Sequence, residues 1–139
     1  MTVFVDTSFY IARIMARDQW HGRAVAAAKP GLDYITSSLV LNETVSLLQA
    51  RGYLDAAFEF LKNARSDSPV QVVYPDAALQ GAGWDLFVRY AALGANAVDC
   101  VSFAIMRKFG IRKAFAFDAH FRAAGFDTLQ LGTEPSCGG

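Results

Sequence analysis

The residues of this chain best suited to chemistry are four carboxylates, and Asp99 is the clearest of them. Between Asn96 and Met106 it is the only charged residue, in a run that is otherwise almost entirely apolar. No lysine or arginine occupies the adjacent helical positions 95, 96, 102 or 103. Because an isolated buried charge costs several kcal/mol, we expect Asp99 to be paired, protonated or bound to a metal ion. An aspartate bonded to backbone groups is the alternative.

Glu43 is the second candidate, because it interrupts an apolar stripe. Leu39 lies four residues before it and Leu47 four residues after it. This spacing places the three side chains on one face of a helix. We therefore predict that Glu43 faces the interior. The alternative is a stripe shifted by one position, which would leave Glu43 in solvent.

Asp6 and Asp118 each follow a strand-like run, at residues 3–5 and 114–117. In open parallel sheets, functional sites form at the carboxyl ends of the strands. The same positions suit helix N-caps, which stabilise a helix start by about 1 kcal/mol. Either aspartate alone fits both interpretations.

The four acids (Asp6, Glu43, Asp99 and Asp118) can converge on one pocket. Clustered carboxylates repel each other, so such a pocket holds cations or shifts its own pKa values. Ligand sets made only of oxygen favour magnesium or manganese over zinc. With such ions, a carboxylate pocket is suited to hydrolysing phosphodiester bonds.

The elements that must position these acids alternate between strands and helices. Periodicity and turn residues predict strands at 3–5, 34–36, 70–74, 114–117 and 128–131. They predict helices at 9–17, 20–29, 38–51, 53–65, 76–93 and 97–109, and a short helix after the fourth strand that ends at about residue 124. This alternation predicts a parallel sheet covered on both faces in a single α/β domain.

The charge balance gives no general signature of nucleic-acid binding, because 13 basic residues offset 13 acidic ones. Any RNA contact must come from a local group of basic residues. The candidates are Arg13, Arg17, Arg51, Arg107, Lys108, Arg112 and Lys113. The group at 107–113 is the densest, and a solvated helix end that complements the helix dipole explains it equally well.

The chain also has the features expected of a cytoplasmic protein. Two separate cysteines, Cys100 and Cys137, provide neither a disulfide framework nor a zinc-ligand spacing. We see no secretory signal, and no uncharged run reaches the roughly 18 residues that a membrane helix needs.

Several motifs together resemble the PIN-domain family. They are the strand followed by Asp6-Thr7-Ser8, the run 39–43 ending in Glu43, Asp99 within 97–100, the segment 117–121 followed by Gly125, and a D-x-x-H-x-x-A element at 18–24. The resemblance covers nearly the whole chain. The order and spacing of the motifs are similar to those of VapC-like toxins of toxin–antitoxin systems.

This resemblance implies a three-layer α/β fold with a parallel sheet of about five strands flanked by helices. The PIN domain would occupy residues 1–132, and residues 133–139 would form a flexible tail. The resemblance further implies that Asp6 and Asp99 are the principal ligands of Mg²⁺ or Mn²⁺. Glu43 and Asp118 would complete the site directly or through water, and Ser8 would orient a carboxylate. Whether a second metal ion binds stays open.

The implied function is a Mg²⁺-dependent ribonuclease, the toxin of a type II toxin–antitoxin system, with an antitoxin partner. The large apolar residues at 58–61 and 84–87 also predict a homodimer, although core packing alone could use them. The alternatives are a PIN-like RNA- or protein-binding module without catalysis, or a PIN nuclease outside toxin–antitoxin systems. For the two histidines we expect His21 to pack or form a hydrogen bond. We expect His120 to lie on the surface of the last short helix.

Overall fold

A computed structural model of the protein describes residues 1–66 and 68–129. Its centre is a parallel sheet whose strands lie in the order β3-β2-β1-β4. The strands are β1 (Thr2–Val5), β2 (Asp33–Ser37), β3 (Val70–Val73) and β4 (Lys113–Phe115). The two strands that end nearest the acids, β1 and β4, are therefore neighbours.

The described residues contain four strands rather than about five. Near the predicted last strand, Asp127 makes one parallel bridge to Lys113, and residues 128 and 129 are not in a strand. Residues 130 and 131 lie outside the described part, as does the predicted tail at 133–139. The predicted end of β4 is also two residues too late, because the chain leaves the sheet after Phe115.

Seven helices are present in the described residues. They are α1 (Thr7–Ile14), α2 (His21–Ala27), α3 (Ser38–Ala50), α4 (Leu54–Arg65), α5 (Ala77–Tyr90), α6 (Ala97–Phe109) and α7 (His120–Ala123), with a 3₁₀ turn at Ala91–Leu93. Every predicted helix is found, although α1 and α2 are shorter than predicted. The α/β class and the three-layer arrangement are confirmed.

The sheet has a hydrophobic core on both faces, as a parallel sheet requires. Phe4 of β1 packs in a cluster with Phe103 of α6 and Phe121 of α7. The neighbouring residues Val3 and Val5 point the other way, into a second cluster with aromatic residues of α1 and β4. Because β1 is buried on both sides, the position of Asp6 at its end is fixed by packing.

Helix α6, which carries Asp99, packs closely against α5. A Cβ atom at Gly83 would lie only 2.5 Å from Cγ2 of Val101. The two helices can therefore approach this closely only because position 83 has no side chain. Helix α6 ends at Gly110, whose φ of +66° suits glycine.

Within the described ranges, no helix combines the length and the apolar character needed to span a membrane.

Candidate functional site

A cavity of about 450 Å³ opens where β1 and β4 end. Its lining includes the four acids, and also Thr7, Ser8, Asn96 and His120. The hydrogen-bond ladder between β1 and β4 extends to this point, because Asp6 N donates to Phe115 O at 3.1 Å. The structure thus brings the four acids, which are up to 112 residues apart in the chain, to one cavity.

Asp6 is the deepest of the four acids, with 2% of its surface exposed. Its Oδ2 accepts hydrogen bonds from Ser8 N at 3.1 Å and from Ser8 Oγ at 2.8 Å, which caps α1. Its Oδ1 is buried and has no hydrogen-bond partner among the described residues. A buried oxygen without a partner is costly, so this atom suits a ligand.

The pKa of Asp6 is raised from 3.8 to about 8, mainly by burial and also by the nearby charges of Asp118 and Asp99. The hydrogen bonds from Ser8 oppose this rise. Without a cation, the pocket therefore favours a protonated Asp6 at neutral pH. A bound cation would favour the carboxylate instead.

Ser8 joins the two strand ends that form the site. Its hydroxyl donates to Asp6 Oδ2 and accepts a hydrogen bond of 3.0 Å from Phe117 N, in the segment after β4. The side chain therefore holds one carboxylate oxygen of Asp6 in place. This is the kind of contact that we expected of Ser8.

Asp99 lies in the first turn of α6 and takes part in a capping box. Asp99 N donates to Asn96 Oδ1 at 2.8 Å, and Asn96 N donates to Asp99 Oδ2 at 3.0 Å. The hydrogen bonding to backbone groups that was the alternative for Asp99 is therefore present in the structure. Burial raises the pKa of Asp99 to about 6, helped by the charges of Asp118 and Glu43, whereas the Asn96 backbone bond and His120 lower it.

Glu43 is half-buried and held at both oxygens. Thr7 Oγ1 donates to Oε1 at 2.6 Å, and Asn96 Nδ2 donates to Oε2 at 3.3 Å. These bonds connect α3 to the starts of α1 and α6. Glu43 is therefore neither fully buried nor free in solvent. The contributions of Thr7 and Asn96 were not predicted from the sequence, although Thr7 follows the N-cap of α1 and Asn96 is the N-cap of α6.

His120 lies beside the site on the last helix and is partly exposed, but its ring contacts two of the acids, which was not expected. Its Nδ1 is 3.0 Å from Asp99 Oδ2 and 3.6 Å from Asp118 Oδ1. Asp118 Oδ1 also accepts a hydrogen bond from His120 N at 3.0 Å, which turns the chain into α7. Since His120 is the first residue of α7, this turn directs its ring into the site. In the sequence, the position of His120 two residues after Asp118 was the feature that could have indicated this contact.

Trp20 and Phe117 form an aromatic side of the cavity. Their rings are stacked, with centroids 5.5 Å apart and planes inclined by 6°. His21 lies next to Trp20 in the chain, and its Nδ1 is 2.8 Å from Ala12 O. The predicted hydrogen-bonding role of His21 is confirmed, and this contact ties α2 to α1.

The basic candidates do not gather at one place. Arg51 lines the acidic cavity. Arg112 and Lys113 instead line a separate cleft of about 650 Å³, together with Arg122, at the start of β4. The densest basic group of the sequence is therefore at the opposite end of β4 from Asp118.

The donor set of the cavity fits a hard divalent cation. Asp99, Asp118 and His120 each place one possible ligand atom within 4.8 Å of the others. The partnerless Asp6 Oδ1 adds a further buried oxygen. Carboxylate oxygens are the preferred ligands of Mg²⁺ and Mn²⁺, and an imidazole nitrogen is compatible with Mn²⁺.

Comparisons with known proteins show similarity to PIN-domain proteins. A sequence profile of the PIN domain matches residues 3–127. The chain is 42% identical, over 126 residues, to the 23S rRNA-specific endonuclease VapC20 of Mycobacterium tuberculosis, and the alignment covers 89% of this chain and 95% of that protein.

Solved structures are similar as well. The crystal structure of Mycobacterium tuberculosis VapC20, described as a sarcin–ricin loop cleaving toxin, gives a TM-score of 0.81 at 40% identity, covering 89% of this chain and 95% of the other. A toxin–antitoxin complex from Klebsiella pneumoniae gives 0.63 at 11% identity, covering 92% and 96%, which shows a shared fold. The chain therefore belongs to the PIN-domain family.

Proposed function

We propose that the protein is a metal-dependent endoribonuclease and the toxin of a type II toxin–antitoxin system. The single observation that carries this proposal is the buried Oδ1 of Asp6, which has no hydrogen-bond partner among the described residues and belongs to a cavity lined by four more carboxylates. The 42% identity to an endonuclease over most of both chains supports it. RNA phosphodiester bonds would be hydrolysed at this cavity.

The cation that we propose is Mg²⁺, with Mn²⁺ as a substitute. Asp6 and Asp99 would be its principal ligands, and Glu43 and Asp118 would bind it directly or through water. When bound, such an ion lowers the pKa of a water molecule and neutralises charge on phosphate oxygens. His120, 3.0 Å from Asp99, is available as a further ligand or as a donor to that carboxylate.

The protein residues prepare the site before any ion binds. Ser8 holds Oδ2 of Asp6 by two hydrogen bonds, which leaves the buried Oδ1 without a hydrogen-bond partner among the described residues. Thr7 and Asn96 fix Glu43 in the same way. We propose that Glu43 orients the attacking water, because its carboxylate is held at the edge of the cavity by neutral donors. Preorganised polar groups of this kind need little rearrangement during reaction.

The substrate that we propose is ribosomal RNA. VapC20, the relative that is 42% identical, is a 23S rRNA-specific endonuclease, and its crystal structure is described as that of a sarcin–ricin loop cleaving toxin. An RNA hairpin with the sequence of that loop is therefore the first substrate to test. With RNA as substrate, we propose that the protein acts in the cytoplasm.

The partners that we propose are a cognate antitoxin protein and a second copy of this chain. Several large apolar side chains are exposed on two helices. They are Phe58 on α4 and Trp84, Phe87 and Val88 on α5, with 59%, 61%, 39% and 86% of their surfaces exposed. Exposed apolar groups at helical spacing commonly mark protein interfaces.

The decisive experiment compares RNA cleavage by the wild type, Asp99→Asn and Asp33→Asn. Asp33 is exposed at the start of β2, far from the cavity, and is the matched control. We expect cleavage with Mg²⁺, none with EDTA, a loss of about 100-fold or more in Asp99→Asn, and no change in Asp33→Asn. Equal residual activity in all three proteins would indicate an interaction module without catalysis.

A further inference from the structure

Helix α3 presents three residues to the acidic cavity at intervals of four. Glu43, Leu47 and Arg51 all line it. Residues four apart lie on one face of a helix, so Arg51 continues the face that carries Glu43. At 1.5 Å per residue, Arg51 lies about 12 Å farther along the helix axis than Glu43. It is therefore at the rim of the cavity rather than at its floor.

Arg51 differs in charge from the other groups around it. Five carboxylates line the cavity, namely the four acids and Asp18. Within residues 1–66 and 68–129, Arg51 is the only arginine or lysine in that lining. A phosphate that approaches five carboxylates is repelled unless a cation is close to it. Ions bound by the acids can offset this for the phosphate being cut, but not for its neighbours along the strand.

The position of Arg51 at the end of α3 does not require its side chain. Backbone groups satisfy the last carbonyls of the helix: Arg51 N donates to Leu47 O, Gly52 N to Gln49 O and Tyr53 N to Leu48 O. In the part of the chain that the structure describes, the Arg51 guanidinium has no hydrogen bond or ion pair. It is exposed and available to a ligand.

We propose that Arg51 binds a phosphate of the RNA backbone next to the phosphodiester bond that is cut. This inference rests on the proposed nuclease function and assigns one residue to substrate positioning. The guanidinium can donate two parallel hydrogen bonds to one phosphate, which a lysine ammonium cannot. The 12 Å offset from Glu43 along α3 places the contact on a flanking phosphate.

The first test uses Arg51→Gln and Arg51→Lys, with Arg89→Gln as a matched control that removes the same charge from the exposed last turn of α5, outside the cavity lining. On an RNA hairpin, we expect Arg51→Gln to raise KM about tenfold with kcat nearly unchanged, and Arg51→Lys to fall between it and the wild type. Arg89→Gln should match the wild type. An Arg51→Gln protein that behaves like Arg89→Gln would overturn the proposal.

The second test locates the phosphate. Each hairpin in a series carries one uncharged methylphosphonate near the cut. We expect one flanking position to weaken wild-type cleavage about tenfold and to have no further effect on Arg51→Gln. Additive losses at every position would overturn the proposal.

If the proposed nuclease function is wrong, the wild type will not cleave any hairpin with Mg²⁺, and this result differs from each outcome that would overturn the role of Arg51. RNA affinity, measured by fluorescence anisotropy in an Asp99→Asn background, then tests the Arg51 contact without cleavage. Arg51→Gln should weaken binding in that background, and equal affinity with and without Arg51 would contradict the contact.

Discussion

At the scale of single residues, two acids of this site both cap a helix and line the cavity, which the sequence presents as alternatives. Asp6 caps α1 with Oδ2, while its buried Oδ1 has no hydrogen-bond partner among the described residues. Asp99 takes part in a capping box and also lies 3.0 Å from His120. A carboxylate has two oxygens, so a helix cap does not exclude a ligand. The sequence could identify these residues but could not assign their oxygens.

The raised pKa of Asp6 leads to a prediction about stability in EDTA. A folded-state pKa of about 8, above the ordinary 3.8, means that the protonated form is favoured in the fold. The stabilising contribution of this group is complete below pH 4 and is lost as pH rises toward 8. Asp6→Asn keeps the cap and removes the titration. We therefore expect Asp6→Asn to exceed the wild type in melting temperature at pH 8, by about 5 °C.

This prediction is checked by thermal unfolding in EDTA between pH 4 and pH 8. The difference between Asp6→Asn and the wild type should grow with pH. Added Mg²⁺ should raise the melting temperature of the wild type and leave that of Asp6→Asn nearly unchanged. A melting-temperature difference that is constant with pH would mean that the fold does not raise the pKa of Asp6.

At the scale of elements, sequence patterns predicted best where packing and pattern coincide. Helix α6 has the predicted bounds, because its apolar run is buried and Gly110 ends it. The direction of His120 could not be predicted, since it depends on how the turn at Asp118 meets α6 in space. In the described part of the predicted last strand, residues 128 and 129 are not in a strand, because a strand-like pattern does not show whether a neighbouring strand is available.

The close packing of α5 on α6 predicts opposite effects for two similar substitutions. Gly83→Ala would place a Cβ 2.5 Å from Val101 and push α6 away, so we expect a loss of about 1–3 kcal/mol. Gly81→Ala meets nothing within 4 Å and should stabilise the same helix by about 0.5–1 kcal/mol. Urea unfolding of both variants measures the two changes. Equal effects would contradict the close approach.

At the scale of the whole molecule, a net charge of zero conceals a strong separation of charge. The acids gather where β1 and β4 end, and Arg112, Lys113 and Arg122 lie where β4 begins. Composition could not reveal this arrangement, because it depends on which ends of the strands the loops join. It also explains how a chain with no net charge can have one acidic end.

The exposed apolar residues predict that the protein self-associates. We expect sedimentation equilibrium to give twice the chain mass of 15.1 kDa. Trp84→Glu, on α5, and Phe58→Glu, on α4, test the two exposed patches separately, and the one that yields monomer identifies the interface. A monomeric wild type at all concentrations would remove the homodimer from the proposal.

The central claim is that Asp6 and Asp99 hold a divalent cation at the end of β1. The most direct measurement is anomalous X-ray diffraction from crystals grown with Mn²⁺, which locates the ion independently of activity. We predict an anomalous peak within coordination distance of Asp6 Oδ1 and an Asp99 carboxylate oxygen, and no such peak in crystals of Asp6→Asn. An empty cavity in the wild type, or a peak elsewhere in the molecule, would contradict the claim.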